Sequence, residues 1–229
     1  MSPVADEPPA SAPRRRLPRA ERERQMLGVA RRTFAQRGYH AATMDEIAAA
    51  VGVSKQMVYN YLGSKEELYL AVYREACREL EQSIDAAAAT ATTPDGQLWG
   101  GLLAFFAFVD EQREAWSIVV GSAGGGAANP FASEVARLRG EVVRLVAQLF
   151  AEARVAAGLD DGIGSDDTEP AARVLVAAAE AVAAWWLEHP EVSREVAAQR
   201  LMEIAWVGLG GLVSGATWSP PPAAEDNAP

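Results

Sequence analysis

The sequence predicts an all-α protein in which a small basic helical module is joined by a long helix to a larger, apolar helical module. Three observations carry this. The segment "TMDEIAAAVGVSKQMVYNYLGSKEEL", residues 43–68, holds three closely spaced helix starts: Thr43 with Glu46 and Ser64 with Glu67 fit capping boxes, and Ser54 follows the turn at Gly52 and Val53. Ala, Leu, Val, Glu and Arg dominate the long runs elsewhere, and no alternating strand pattern of useful length is present. Charge is also split. Residues 14–65 hold eleven Lys and Arg against four acids, a local +7 inside a chain of net charge -10, which leaves -17 for the remainder.

Taken in order, residues 1–18 are rich in Pro, Ala and Ser and contain Arg14, Arg15 and Arg16, so a flexible basic arm is expected. A first helix is predicted over 19–37, with Leu27, Ala30 and Phe34 inward and Gly38 as a left-handed C-cap. The second, 44–51, turns Met44, Ile47, Ala48 and Val51 inward at i, i+3, i+4 and i+7. The third starts after Ser54 and spaces Val58 and Leu62 one turn apart for the core. The fourth starts after Ser64 and runs to about residue 91, long enough to link two domains. Further helices are expected over 95–111, 114–120, 130–157, 168–188 and 193–215, separated by "GSAGGGAANP" and "AGLDDGIGSDD". The predicted domains are therefore an arm (1–18), a three-helix basic module (19–65), a larger helical module (66–217) and a disordered tail (218–229).

Several function classes are excluded by what the chain lacks. His40 and His189 are far apart, expected at the surface, and belong to no metal-ligand spacing. The glycine-rich stretch at 121–130 is not followed by Gly-Lys-Ser/Thr, and Asp160, Asp161, Asp166 and Asp167 lack calcium-loop spacing. No Ser, His and Asp set suggests covalent catalysis. No enzyme, metal or cofactor is expected. The single Cys77 rules out an internal disulfide and reads as a small buried residue. The N-terminal arginines precede no apolar stretch, and the run at 206–217 is shorter than the ~20 residues that span a bilayer. A soluble cytoplasmic protein with no membrane partner is the expectation.

The third helix points to double-stranded DNA. With Val58 and Leu62 inward, Lys55, Gln56, Tyr59 and Asn60 share the opposite face. The second helix of a helix-turn-helix lays its N-terminal residues in the major groove, where Lys meets guanine O6 and N7 and Gln pairs with adenine N6 and N7. Met57 is placed to meet a thymine methyl. Thr43, Ser54 and Ser64 open helices whose free N–H groups hold phosphates, and Tyr59, Tyr61 and Lys65 add hydroxyl and ammonium donors. Lys55, Gln56 and Met57 are thus expected at the bases, and Thr43, Ser54, Tyr59, Tyr61 and Lys65 at the backbone. For Tyr59 and Tyr61 half-buried packing is the alternative.

Residues 22–73, "RERQMLGVARRTFAQRGYHAATMDEIAAAVGVSKQMVYNYLGSKEELYLAVY", resemble the DNA-binding domain of the TetR family of bacterial transcription regulators. The resemblance lies in "AxxxFAxxGYxxATMDEIA", the "AVGVSK" turn, the "VYNY" segment and "GSKEEL", in that order. It implies that the third helix is the recognition helix and that the C-terminal helical domain binds a small ligand and forms a homodimer. It also assigns Thr43, Tyr59, Tyr61 and Lys65 to phosphates. Where family members often read Tyr-x-His-Phe or Tyr-x-Tyr-Phe, this chain has "YNYL".

Small residues at helical spacing, Ala177, Ala181 and Ala184, then Gly208, Gly211 and Gly215, allow two helices from each of two chains to pack as a four-helix interface; packing inside one subunit is the alternative. A dimer also suits DNA, since recognition helices ~34 Å apart read successive major grooves. Trp99, Phe106, Trp116 and Trp185 stand among small side chains, where large rings either leave apolar space for a ligand or fill it. The reading is a homodimeric regulator, a repressor in the manner of most of the family it resembles, released from a palindromic operator by a small hydrophobic effector. The alternative is a structural or DNA-marking homodimer with no small-molecule switch.

Overall fold

The computed structural model describes residues 18–123, 131–156, 158 and 165–213. Among them the order is α1 (Arg19–Ala41), α2 (Met44–Val51), α3 (Lys55–Leu62), α4 (Lys65–Ala88), α5 (Pro94–Glu111), α6 (Arg113–Ala123), α7 (Ala132–Ala156), α8 (Ser165–Leu187) and α9 (Arg194–Val213), with no strand. Residues 1–17 of the expected arm (1–18), the tail (218–229), Gly215 and most of both glycine-rich loops lie outside the described residues.

Each N-terminal helix starts where its cap residue stands. Thr43 Oγ1 accepts from the Glu46 N–H at 3.2 Å while Glu46 Oε2 accepts from the Thr43 N–H at 3.1 Å. Ser64 and Glu67 repeat the exchange at 3.1 and 2.7 Å, and Ser54 Oγ accepts from the Met57 N–H at 3.2 Å. Both capping boxes satisfy donors that the first turn leaves free. Gly52 ends α2 in the left-handed region (φ 77, ψ 36). Gly38 departs from expectation. Its φ of 71 is left-handed, but its ψ of 170 is not that of an αL cap, so α1 kinks there and a last turn resumes to Ala41.

Gly63 joins α3 to α4 at φ 72, ψ -148, and a Cβ placed there would lie 2.2 Å from Glu67 Oε2. Gly63→Ala is therefore expected to strain the backbone and break the Ser64–Glu67 box together, lowering stability by about 1–3 kcal/mol. Chemical denaturation checks this. A change within 0.5 kcal/mol would show that the turn relaxes freely.

Two core clusters lie along α4. The first gathers Val29, Ala30 and Phe34 of α1, Ile47 of α2, Val58 of α3 and Leu68, Tyr69 and Val72 of α4, and it also takes in Ile118 of α6, Phe131, and Val135 and Leu138 of α7. The second joins Ala76 and Leu80 of α4 to α5–α9, with Phe106 and Val109 fully buried. The α1 face is offset from the predicted one. Met26 is fully buried and Leu27 half-buried, because the stripe runs 26, 29, 30, 34. Phe131 lies 4.7 Å from Tyr39 and 4.9 Å from Tyr69, ring to ring, and so plugs the larger module into the smaller. Arg31–Glu79 and Arg74–Glu134, both 2.8 Å, tie α4 to α1 and to α7. Arg137 first and Arg74 second hold the Glu134 carboxyl down to about 2.

Candidate nucleic-acid interface and ligand cavity

Val58 is fully buried on one side of α3, and Lys55, Gln56, Tyr59 and Asn60 are all exposed on the other. The α2–α3 turn sets this orientation. Gly52 and Val53 donate to the Ala48 carbonyl at 2.9 and 3.0 Å, fixing the angle at which α3 leaves. The exposed groups hold one another. Lys55 Nζ donates to Asp45 Oδ2 at 2.8 Å, which raises the Lys55 pKa, and Gln56 Nε2 donates to Asn60 Oδ1 at 3.0 Å. Met57 is half-buried, its sulfur 3.6 Å from Arg22 Nη1.

The residues expected at phosphates fall around this face. Lys65 Nζ sits 4.5 Å over the Tyr39 ring and donates to the His40 carbonyl at 3.3 Å, so the N-terminus of α4 meets the end of α1. Tyr59 is exposed, whereas Tyr61 is half-buried with the Arg19 guanidinium 5.3 Å over its ring. Thr43 is exposed and its hydroxyl caps α2. Sequence reasoning missed Arg19, Arg22, Tyr39 and Asp45 as neighbours of this surface. Their partners are 10 to 42 positions away, so no local spacing signals them.

A cavity opens between α4, α5, α7 and α8, with α6 and α9 adding to its wall, and holds about 1260 Å³ of atom-free space including its mouth. Trp116 lines it, as do Phe105 and Trp206. Trp99, Phe106 and Trp185 do not. The cavity face of α5 is Leu98, Gly101, Leu102 and Phe105, and that phase turns 99 and 106 elsewhere. Phe106 is fully buried edge-on to Trp186 at 5.6 Å. Trp185 stacks on His189 at 4.6 Å with Arg200 5.1 Å from its ring, which also leaves His189 half-buried rather than at the surface. Cys77 lines the cavity, and burial pushes its thiol up to about 11.

Ala177, Ala181 and Ala184 are exposed on α8, next to Val174 at 70% exposure. Gly208 and Gly211 fall within α9. Among the described residues no cluster of His, Cys, Asp and Glu is arranged to hold a metal.

Residues 26–72 match the family model "Bacterial regulatory proteins, tetR family", and residues 94–208 match "Tetracyclin repressor-like, C-terminal domain". The chain belongs to the TetR family. It is 31% identical over 215 residues to the HTH-type transcriptional activator FasR of Mycolicibacterium smegmatis, across 88% of this chain and 90% of that one. A TetR-like transcriptional regulator from Rhodococcus sp. RHA1 superimposes with a TM-score of 0.69 at 35% identity, over 86% of this chain and 100% of that one. AibR, solved with isovaleryl coenzyme A and operator DNA, shares the fold at 19% identity and a TM-score of 0.64, over 80% of this chain and 97% of that one. In this TetR-family protein α2 and α3 are thus the helix-turn-helix, and α5–α9 build the larger domain.

Within that frame Lys65→Ala is expected to weaken binding about equally on specific and random DNA and to reduce the slope of log K against log salt by about 1. Filter binding over a salt series checks it. An unchanged slope would remove Lys65 from the phosphate contacts.

Proposed function

We propose that this TetR-family, DNA-binding transcriptional regulator works as a homodimer on a palindromic operator, reads bases through Lys55, Gln56 and Met57, and changes DNA affinity when a small, mainly apolar effector enters the cavity. One observation carries the switch. Tyr73 and Cys77 of α4 and Val135 and Leu138 of α7 line the cavity and belong to the core cluster that carries α1–α3. An occupant that pushes on them alters the seat of the DNA-binding module. To act as inducer, it must bind the DNA-incompetent state more tightly, since equal affinity shifts nothing.

The dimer has its own support. Within Thr168–Leu187 an 18-residue window averages a hydropathy of 1.3, yet only 28% of that window is buried. By length and composition alone this helix could also cross a membrane, but Glu169–Arg173 and Arg139–Glu180 ion pairs place charges on it. A second copy covering Val174, Ala177, Ala181 and Ala184, with Gly208 and Gly211 on the adjoining helix, accounts for the apolar face. Repression is the outcome expected of an operator that overlaps a promoter; FasR is named an activator, and the sign follows from where the operator lies. Sequencing of random duplexes retained by the purified protein tests the reading. A palindrome supports it, and salt-sensitive retention with no motif would favour the structural DNA-binding alternative.

A further inference from the structure

The cavity wall is apolar over most of its extent, and among the described residues Arg139 and Glu180 are its only charged lining residues. They face each other from α7 and α8, with Arg139 Nη2 donating to Glu180 Oε2 at 2.6 Å. Their position follows from the helix register. Arg139–Glu180 together with Thr168 Oγ1 donating to the Ala147 carbonyl at 2.8 Å makes α7 and α8 antiparallel. The pair therefore lies toward the end of the cavity where Tyr73, Cys77, Val135 and Leu138 meet the core of the DNA-binding module. Ile84, Pro94, Leu149 and Phe150 line the other end. The charged groups lie at one end, and the other end is apolar apart from Gln97, one turn on from Pro94.

The charge arrangement selects among polar groups. A guanidinium has five N–H donors in a planar fork, and Glu180 is the one acceptor that Arg139 meets among the described residues. Glu180 already supplies its countercharge. The pair is half-buried at the cavity wall, where burial raises the Glu180 pKa and the Arg139 guanidinium opposes that rise. The nearby charges add acid: Glu81 and Glu141 both act on Cys77, and Arg137 is engaged by Glu134 and Glu141. An incoming carboxylate would put a second anion on a guanidinium that is already neutralised. A neutral carbonyl oxygen takes a spare N–H and leaves the pair intact.

We propose that Arg139, held in place by Glu180, anchors the polar head of the effector, and that the effector is an uncharged carbonyl compound with an apolar body, an ester, amide or ketone rather than a free carboxylate. This rests on the reading of the cavity as the effector site. With the head at the α4 end, Arg139 lies beside the residues through which the cavity touches the DNA-binding module.

The test uses the full chain and a matched pair of probes, methyl decanoate and decanoate at pH 8, titrated by the fluorescence of the tryptophans, two of which, Trp116 and Trp206, line the cavity. The ester is expected to bind about tenfold or more tightly than the acid. Glu180→Gln, which leaves the guanidinium without its countercharge, is expected to strengthen decanoate by about tenfold and erase or invert the preference. Arg139→Met/Glu180→Met removes the pair without stranding either charge and is expected to weaken the ester by about tenfold. Decanoate binding the wild type as well as the ester, or a preference unmoved by Glu180→Gln, would overturn the head-group proposal while the cavity still binds. If neither probe binds any form, the effector-site reading falls and the proposal falls with it.

Discussion

Lys55→Ala and Gln56→Ala are each expected to flatten sequence preference by about 1–3 kcal/mol at the base pair they read, while leaving binding to random DNA nearly unchanged. The reason is geometric. Lys55 is the first residue of α3 and Gln56 the second, both exposed, on the part of a recognition helix that enters the groove. Their present partners are polar groups on the same surface, Asp45 and Asn60, and each bond is exchangeable for one to a base edge. An exposed Lys–Asp pair contributes little to stability, so either substitution should leave the melting temperature nearly unmoved. Competition of a selected operator against its single-base variants gives the measure. Equal losses on operator and random DNA would make both residues backbone contacts and leave base reading to Met57 or Tyr59.

The helix-turn-helix could be read from the sequence because its determinants are local. A capping box spans four residues, the glycine of the Gly52–Val53 turn acts at its own position, and the buried stripe of α2 repeats within eight residues, so Thr43, Gly52, Ser54, Ser64 and Ile47 each suffice for their own prediction, whereas the αL C-cap expected at Gly38 does not form. The phase of α1 was less secure. Met26 and Leu27 are adjacent and both apolar, and only packing against the rest of the fold decides which turns inward. The ligand cavity is harder still. Residue type cannot say whether a large ring fills or borders a space, and Trp99, Phe106 and Trp185 sit in the same helices as lining residues while pointing elsewhere. Arg139 and Glu180 are 41 positions apart, and each looks like an ordinary surface charge until α7 and α8 are paired.

A larger effect is expected from Ala177→Glu/Ala181→Glu. Both alanines are exposed on α8, one helical turn apart, within an apolar stripe that runs through Val174 and Ala184. No described part of the chain covers that stripe, so the substitutions should leave the monomer fold and its helical signal intact. Across a two-fold axis the same patch faces itself, and the double variant would bring four carboxylates together on a surface that small side chains let approach closely. Burying unpaired charges of like sign costs several kcal/mol, enough to dissociate an interface at micromolar protein. A monomer engages one half-site, so operator affinity should fall by on the order of 10³-fold, toward the level of non-specific binding. Sedimentation velocity and operator titration on one preparation would show both changes. A variant that sediments as wild type and keeps its operator affinity would place the dimer contact on another face and leave the apolar side of α8 without a partner.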